Sequence, residues 1–282
     1  REYTDVANNA PTGQVEINKT GGTVTLLSDA NWANAGQNLT FTASNTGALE
    51  NGAYILNTNN LTIESGTLDG GTGAIIADKL KVHTAGTVNL PDAEITLGQD
   101  VLGAGLYDVL DISGTVTHSG SGQVTLSGTR NANIKVSSGN LNLNYLKIDK
   151  GTSSVYLVNG DLTVHDELEL VGDPSFYVAD HAITTKDLTL NGTMYFEDNG
   201  SLVQTSGGVL SGTGEIDYQR RGLNYQAGFN LWSSPIVQAD LFGVFANSNQ
   251  CVLYGFDQGQ QLWRFDLQPG QALGCTGFPT MN

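Results

Sequence analysis

Asn60-Leu61-Thr62-Ile63-Glu64-Ser65-Gly66-Thr67-Leu68 reads as a strand, a corner and the start of a second strand. Its first five residues alternate polar and apolar, so an extended chain has one apolar face and one wet face. Ser65-Gly66-Thr67-Leu68 then puts a glycine where the backbone can turn sharply. The texture returns along the chain. Lys79-Leu80-Lys81-Val82-His83 leads into Ala85-Gly86-Thr87-Val88, and Ser113-Gly114-Thr115-Val116 repeats the corner. Asn38-Leu39-Thr40-Phe41, Gln123-Val124-Thr125-Leu126, Asn133-Ile134-Lys135-Val136, Asp161-Leu162-Thr163-Val164 and Asp187-Leu188-Thr189-Leu190 share the polar-apolar alternation.

No run of ten residues keeps helical spacing, so the strands are not joined by the helical crossovers of an α/β fold. The anchors Leu61, Leu80, Leu141, Leu162 and Leu188 recur unevenly. Most gaps approximate one solenoid turn of about 20 to 26 residues, or a small multiple. A single turn cannot bury its inward side chains; the turns above and below it do so. The expected fold is all-β: a right-handed parallel β-helix, or β-solenoid, over residues 1–214, followed by a small all-β module over 215–282. A stacked pair of β-sandwiches is the rival, and Asn51-Gly52, Asn159-Gly160, Asn191-Gly192 and Asn199-Gly200 are its hairpin signals.

Composition sets limits on function. Only 14% of the 282 residues are charged, 39% are hydrophobic and 36 are glycine. Low charge with ample apolar content argues against disorder. A net charge of −16 opposes phosphate-rich partners, so neither nucleic acid nor an anionic lipid surface is expected. No transmembrane stretch of about 18 apolar residues occurs. The chain opens on Arg1 and has no export signal of its own, which suggests a mature form or a piece of a larger parent.

The texture shifts near Gly214. Tyr218, Tyr225, Phe229, Trp232, Tyr254, Phe256, Trp263 and Phe265 crowd the remainder, with two of the three tryptophans. Trp232, Trp263 and Tyr254 are the candidates for stacking on a glycan; core anchors of a small β-module is the competing reading. Both cysteines, Cys251 and Cys275, fall here. Bonded, they would close a loop of about 25 residues, worth roughly 3 kcal/mol on the chain-entropy account. Two unrelated buried thiols is the alternative.

Gln219-Arg220, then Phe229-Asn230-Leu231-Trp232-Ser233-Ser234-Pro235-Ile236, resembles a signature of large secreted surface proteins of Bacteroidetes. Leu253-Tyr254-Gly255-Phe256-Asp257, Trp263 and the run from Gly270 to Phe278 are similar to that family's continuation. Cys275 departs from it. The resemblance implies an extracellular, cell-surface location and export by type IX secretion, with the secretion machinery as a partner. It assigns no functional residue.

Catalytic chemistry is thinly represented. A β-helix polysaccharide lyase or glycoside hydrolase needs converging carboxylates and a basic residue near the scissile bond. The chain has no Asp-Asp pair, and His83, His118, His165 and His181 are scattered. His83 and His165 stand at polar strand positions and read as solvent-facing. His165-Asp166-Glu167 is the densest titratable patch and reads as a solvated loop. Calcium is the one cofactor considered: Leu68-Asp69-Gly70-Gly71-Thr72-Gly73 is Asp/Gly-rich but lacks the nine-residue repeat of calcium-binding β-rolls, and reads as a tight turn. The expected function is non-enzymatic: an adhesin-like stalk or binding module whose partners are surface glycans or proteins.

Overall fold

A computed structural model of the chain describes residues 2–3, 14–33, 36–98, 105–118, 120–137, 140–219, 254–257 and 262–265. Its chain divides into two compact units, Arg1–Arg221 and Gly222–Asn282. The first is a parallel β-solenoid of about nine turns. All its strand pairs are parallel, and each strand pairs with strands one turn before and one turn after. That excludes the sandwich. The Asn-Gly signals serve as corners instead: Asn159, at a left-handed φ of 66°, turns the chain between two strands of the same solenoid turn.

Every turn lays down three short strands, so the solenoid has three faces. The first face carries Val15–Ile17, Leu39–Phe41, 60–63, 79–82, Tyr107–Ile112, Ala132–Val136, Ser154–Val158, Ser175–Ala179, Thr193–Phe196 and Glu215–Tyr218. The second carries Thr23–Leu26, Ala48–Glu50, 65–69, 85–89 and Thr115–Thr117, then 140–143, 161–164, 182–185 and Ser201–Gln204. The third runs from Ala30–Asn31 through Leu56–Asn57, Ile75–Ala77, Ile95–Leu97, Gln123–Leu126, 145–149, 167–171 and 187–190 to Leu210–Ser211. The first face extends to Tyr218, past the texture change at Gly214, because Ile216 and Tyr218 keep the apolar alternation that the ladder requires.

The alternation read in the sequence is the inside-outside alternation of the strands. In Asn60–Asp69, Leu61, Ile63 and Leu68 are buried, while Asn60, Thr62 and Glu64 are half-exposed. Like side chains stack on like along the axis: Leu39, Leu61, Leu80 and Leu110 form one inward ladder, and Leu146, Leu168 and Leu188 form another. Leu61, Leu80, Leu141, Leu162 and Leu188 are all core residues, but they belong to ladders on three different faces. Their uneven spacing follows from that, and from turns that range from Phe176–Met194 to the longer Leu80–Leu110.

One corner shows why glycine is needed there. Gly66 pairs with Gly86 in the next turn. A Cβ on Gly66 would lie 2.1 Å from Asn45 Nδ2, and its φ of +85° is one that L side chains rarely adopt. Asn45 itself is fully buried. Its Nδ2 donates to the carbonyls of Gly47 and Ser65, and its Oδ1 accepts from the amides of Lys19 and Gly47. One side chain thus ties three successive turns at a place where the bend interrupts the ladder.

The second unit contains a hairpin, Tyr254–Asp257 paired antiparallel with Leu262–Phe265. No helix among the described residues is long and apolar enough to cross a membrane.

Candidate functional site

Outward residues stack in rows along the axis just as inward ones do, and the rows on the first face carry the most chemistry. Lys81, Asp111 and Lys135 are consecutive rungs of one row. The Asp111 carboxylate lies 3.5 Å from Lys81 Nζ and 3.8 Å from Lys135 Nζ, and its side chain is only 9% exposed. An acid between two bases is thus paired on both sides within the row. On the third face Lys147 and Glu169 pair in the same way at 3.9 Å.

The later turns of the first face change character. Ser154, Ser175 and Thr193 form one outward row; Tyr156, Tyr177 and Tyr195 form the next; Val158 and Ala179 flank them. The three tyrosine rings stack at 4.8 and 4.5 Å between centroids, with planes 11° and 10° apart. Beyond the row's ends stand Asn133, which donates to Asp108 Oδ1 at 2.7 Å, and Asp217. Three turns therefore present an uncharged strip of hydroxyls and ring edges.

A buried polar cluster sits at another corner. Asp78 and Lys150 are 0% and 1% exposed, and Tyr107 is 6% exposed. The Arg130 guanidinium stands 4.1 Å from the centre of the Tyr107 ring, with Lys79 Nζ at 5.5 Å and Lys150 Nζ at 5.8 Å. Lys150 Nζ donates to the carbonyl of Ser127, joining adjacent turns. Cations gathered about one buried ring make a structural clamp.

The histidines are less scattered than the sequence suggests. His118 Nδ1 accepts the amide N–H of Asn144 at 2.8 Å, which leaves the proton on Nε2 of the neutral ring. Asn144 Nδ2 donates to the carbonyl of Gly120. Burial holds the His118 pKa below the usual histidine range and His165 adds to that lowering, while the Gly122 backbone and the charges of Asp166 and Asp92 oppose it. His118 and Asp92 thus join the His165-Asp166-Glu167 patch at one corner. No sequence spacing announced this, because the residues lie on different turns. His165 is exposed as expected, and His83 is half-buried. Glu167 is occupied by Thr189, whose Oγ1 donates to it at 2.8 Å.

Asp69 turns its Oδ1 to the amide of Gly71 at 3.2 Å, closing the tight turn that its Gly-rich context indicates. Among the described residues no group of three or more His, Cys, Asp or Glu converges in a way that could hold a metal ion. An internal void lined by Leu80, Leu90, Ile95, Leu110, Val124 and Leu141 is wholly apolar and is a packing defect of the core.

Of the candidates in the last module, Tyr254 and Trp263 are on the hairpin, where the register sets Tyr254 opposite Phe265 and Phe256 opposite Trp263. Trp232, Cys251 and Cys275 lie outside the described residues, as do the side chains of Tyr254 and Trp263. Compared with family models, curated proteins and solved structures, the chain matches none.

Proposed function

We propose that the chain is a non-catalytic extracellular scaffold, the stalk or binding module of an adhesin-like surface protein delivered by type IX secretion. The observation that carries this reading is the arrangement of charge on the solenoid. Asp111 is paired along the axis with Lys81 on one side and Lys135 on the other, and Lys147 is paired with Glu169. Acid-base chemistry on a polysaccharide needs groups that converge across a groove with their pKa values pushed apart. Groups paired along a row instead fasten one turn to the next. A ladder rising about 4.8 Å per turn also gives a fold suited to spacing one end from the other.

The rival reading, a β-helix polysaccharide lyase or hydrolase, draws on the corner where His118 meets Asp92 and Asp166. One experiment separates the two. The protein is incubated with neutral and acidic polysaccharides, with and without calcium, and both binding and release of new chain ends are followed. Binding without turnover is expected. Turnover that disappears in His118→Ala, with the fold intact by circular dichroism, would replace the scaffold with the enzyme. Parallel binding by Trp232→Ala and Trp263→Ala variants tests whether the last module contributes.

A further inference from the structure

Within the scaffold reading, on which this rests, we infer that the tyrosine strip of the first face is a docking line for an uncharged linear glycan laid along the solenoid axis. Four observations converge on it. The chain carries a net charge of −16, yet the outward positions of the first-face strands Ser154–Val158, Ser175–Ala179 and Thr193–Phe196 hold no charged residue. The phenol groups of Tyr156, Tyr177 and Tyr195 recur once per turn, with rings 4.8 and 4.5 Å apart. A second row of hydroxyls, Ser154, Ser175 and Thr193, runs parallel to them. None of these six hydroxyls has a hydrogen-bond partner among the described residues.

The ligand class follows from the chemistry of the strip. Ring faces are used up by the stack, so the tyrosines offer edges and O–H groups rather than platforms. Each hydroxyl is both donor and acceptor, as are those of a sugar. A regular double row of them complements a polymer that also repeats its hydroxyls along one direction. Charge decides between neutral and acidic polymers. Glu215 and Asp217 stand immediately beyond the strip, where they repel uronate or sulfate groups. An uncharged chain meets neither this repulsion nor the cost of desolvating an ion.

The test uses the full chain and affinity electrophoresis in soluble mannan, β-glucan and xylan, with pectate as the acidic control. Tyr156→Phe, Tyr177→Phe and Tyr195→Phe combined keep the stacked rings and remove the hydroxyls. The expected result is retardation by a neutral polymer that is insensitive to salt and that weakens about tenfold or more in the triple variant, the scale of one or two lost hydrogen bonds. The melting temperature should stay unchanged. Tyr177→Asp should also abolish retardation, whereas Thr96→Ala on the third face should not affect it. If wild-type and triple variant are retarded equally, the scaffold reading survives and this site assignment fails. If no neutral polymer binds while pectate or an extracellular protein does, the inference is overturned. Turnover of any polymer would remove the scaffold reading as well.

Discussion

At the scale of single residues, the solenoid depends on a few side chains that hold turns together where the ladder bends. Asn45 is one. Replacing it with Ala removes its hydrogen bonds to Lys19, Gly47 and Ser65 and strands backbone groups inside the corner. The expected loss is about 2–4 kcal/mol, measured by urea unfolding. Gly66→Ala should be destabilising through the same corner, since it adds a clash with Asn45 to an unfavourable φ. Gly52→Ala tests the argument: its φ of +63° is similar but the space around it is open, so it should lose only about 1 kcal/mol. His118 gives a pH prediction. Its pKa in the fold lies below that of the unfolded chain, about 6.5. The unfolded state therefore binds more protons in the window between the two values. Stability is full above that window and falls as pH drops through it. Protonation also removes the acceptor for the Asn144 amide. The midpoint of urea unfolding, followed from pH 7.5 down to 5, should decline in the wild type and show a flatter trend in His118→Gln. Equal slopes would assign the decline to other groups.

At the scale of elements, each strand works through its rows. The row Lys81–Asp111–Lys135 predicts a coupling rather than a simple loss. Asp111→Ala leaves two lysines two rungs apart with no acid between them, and should lose about 1–2 kcal/mol. Making Lys81→Met and Lys135→Met as well should recover most of that loss, which a multiple-mutant cycle in low salt would register. The tyrosine row predicts the opposite balance. Tyr177→Ala breaks two ring stacks and should lose about 1–3 kcal/mol, while Tyr177→Phe should be neutral. Inward rows were legible in the sequence because burial enforces alternation. Outward rows were not, because the partners Lys81 and Asp111 are a whole turn apart and nothing in either strand names the other.

At the scale of the whole molecule, the solenoid is a stack in which each turn touches only its neighbours. Its last described turn has Leu210 and Ile216 exposed at 56% and 37%, and among the described residues no further rung follows them. The stack predicts that turns are exchangeable units. Ser154 and Ser175 are register partners, so deleting 154–174 removes one turn and lets the next take its place. That variant should keep the β circular dichroism signal and unfold cooperatively with a lower midpoint. Deleting only 154–163 shifts every inward ladder after it and should abolish cooperative unfolding. The sequence by itself determined the all-β class, the inward side chains and the use of glycine corners, because alternation and φ preferences are local properties. It also determined the acidity that opposes phosphate-rich partners. Only the tertiary structure decided which strand lies on which face, that Lys81 meets Asp111, that His118 joins Asp92 and Asp166, and that three tyrosines from three turns form one stack. Those are contacts between residues a turn apart, and turn length varies with loops whose size the alternation does not specify.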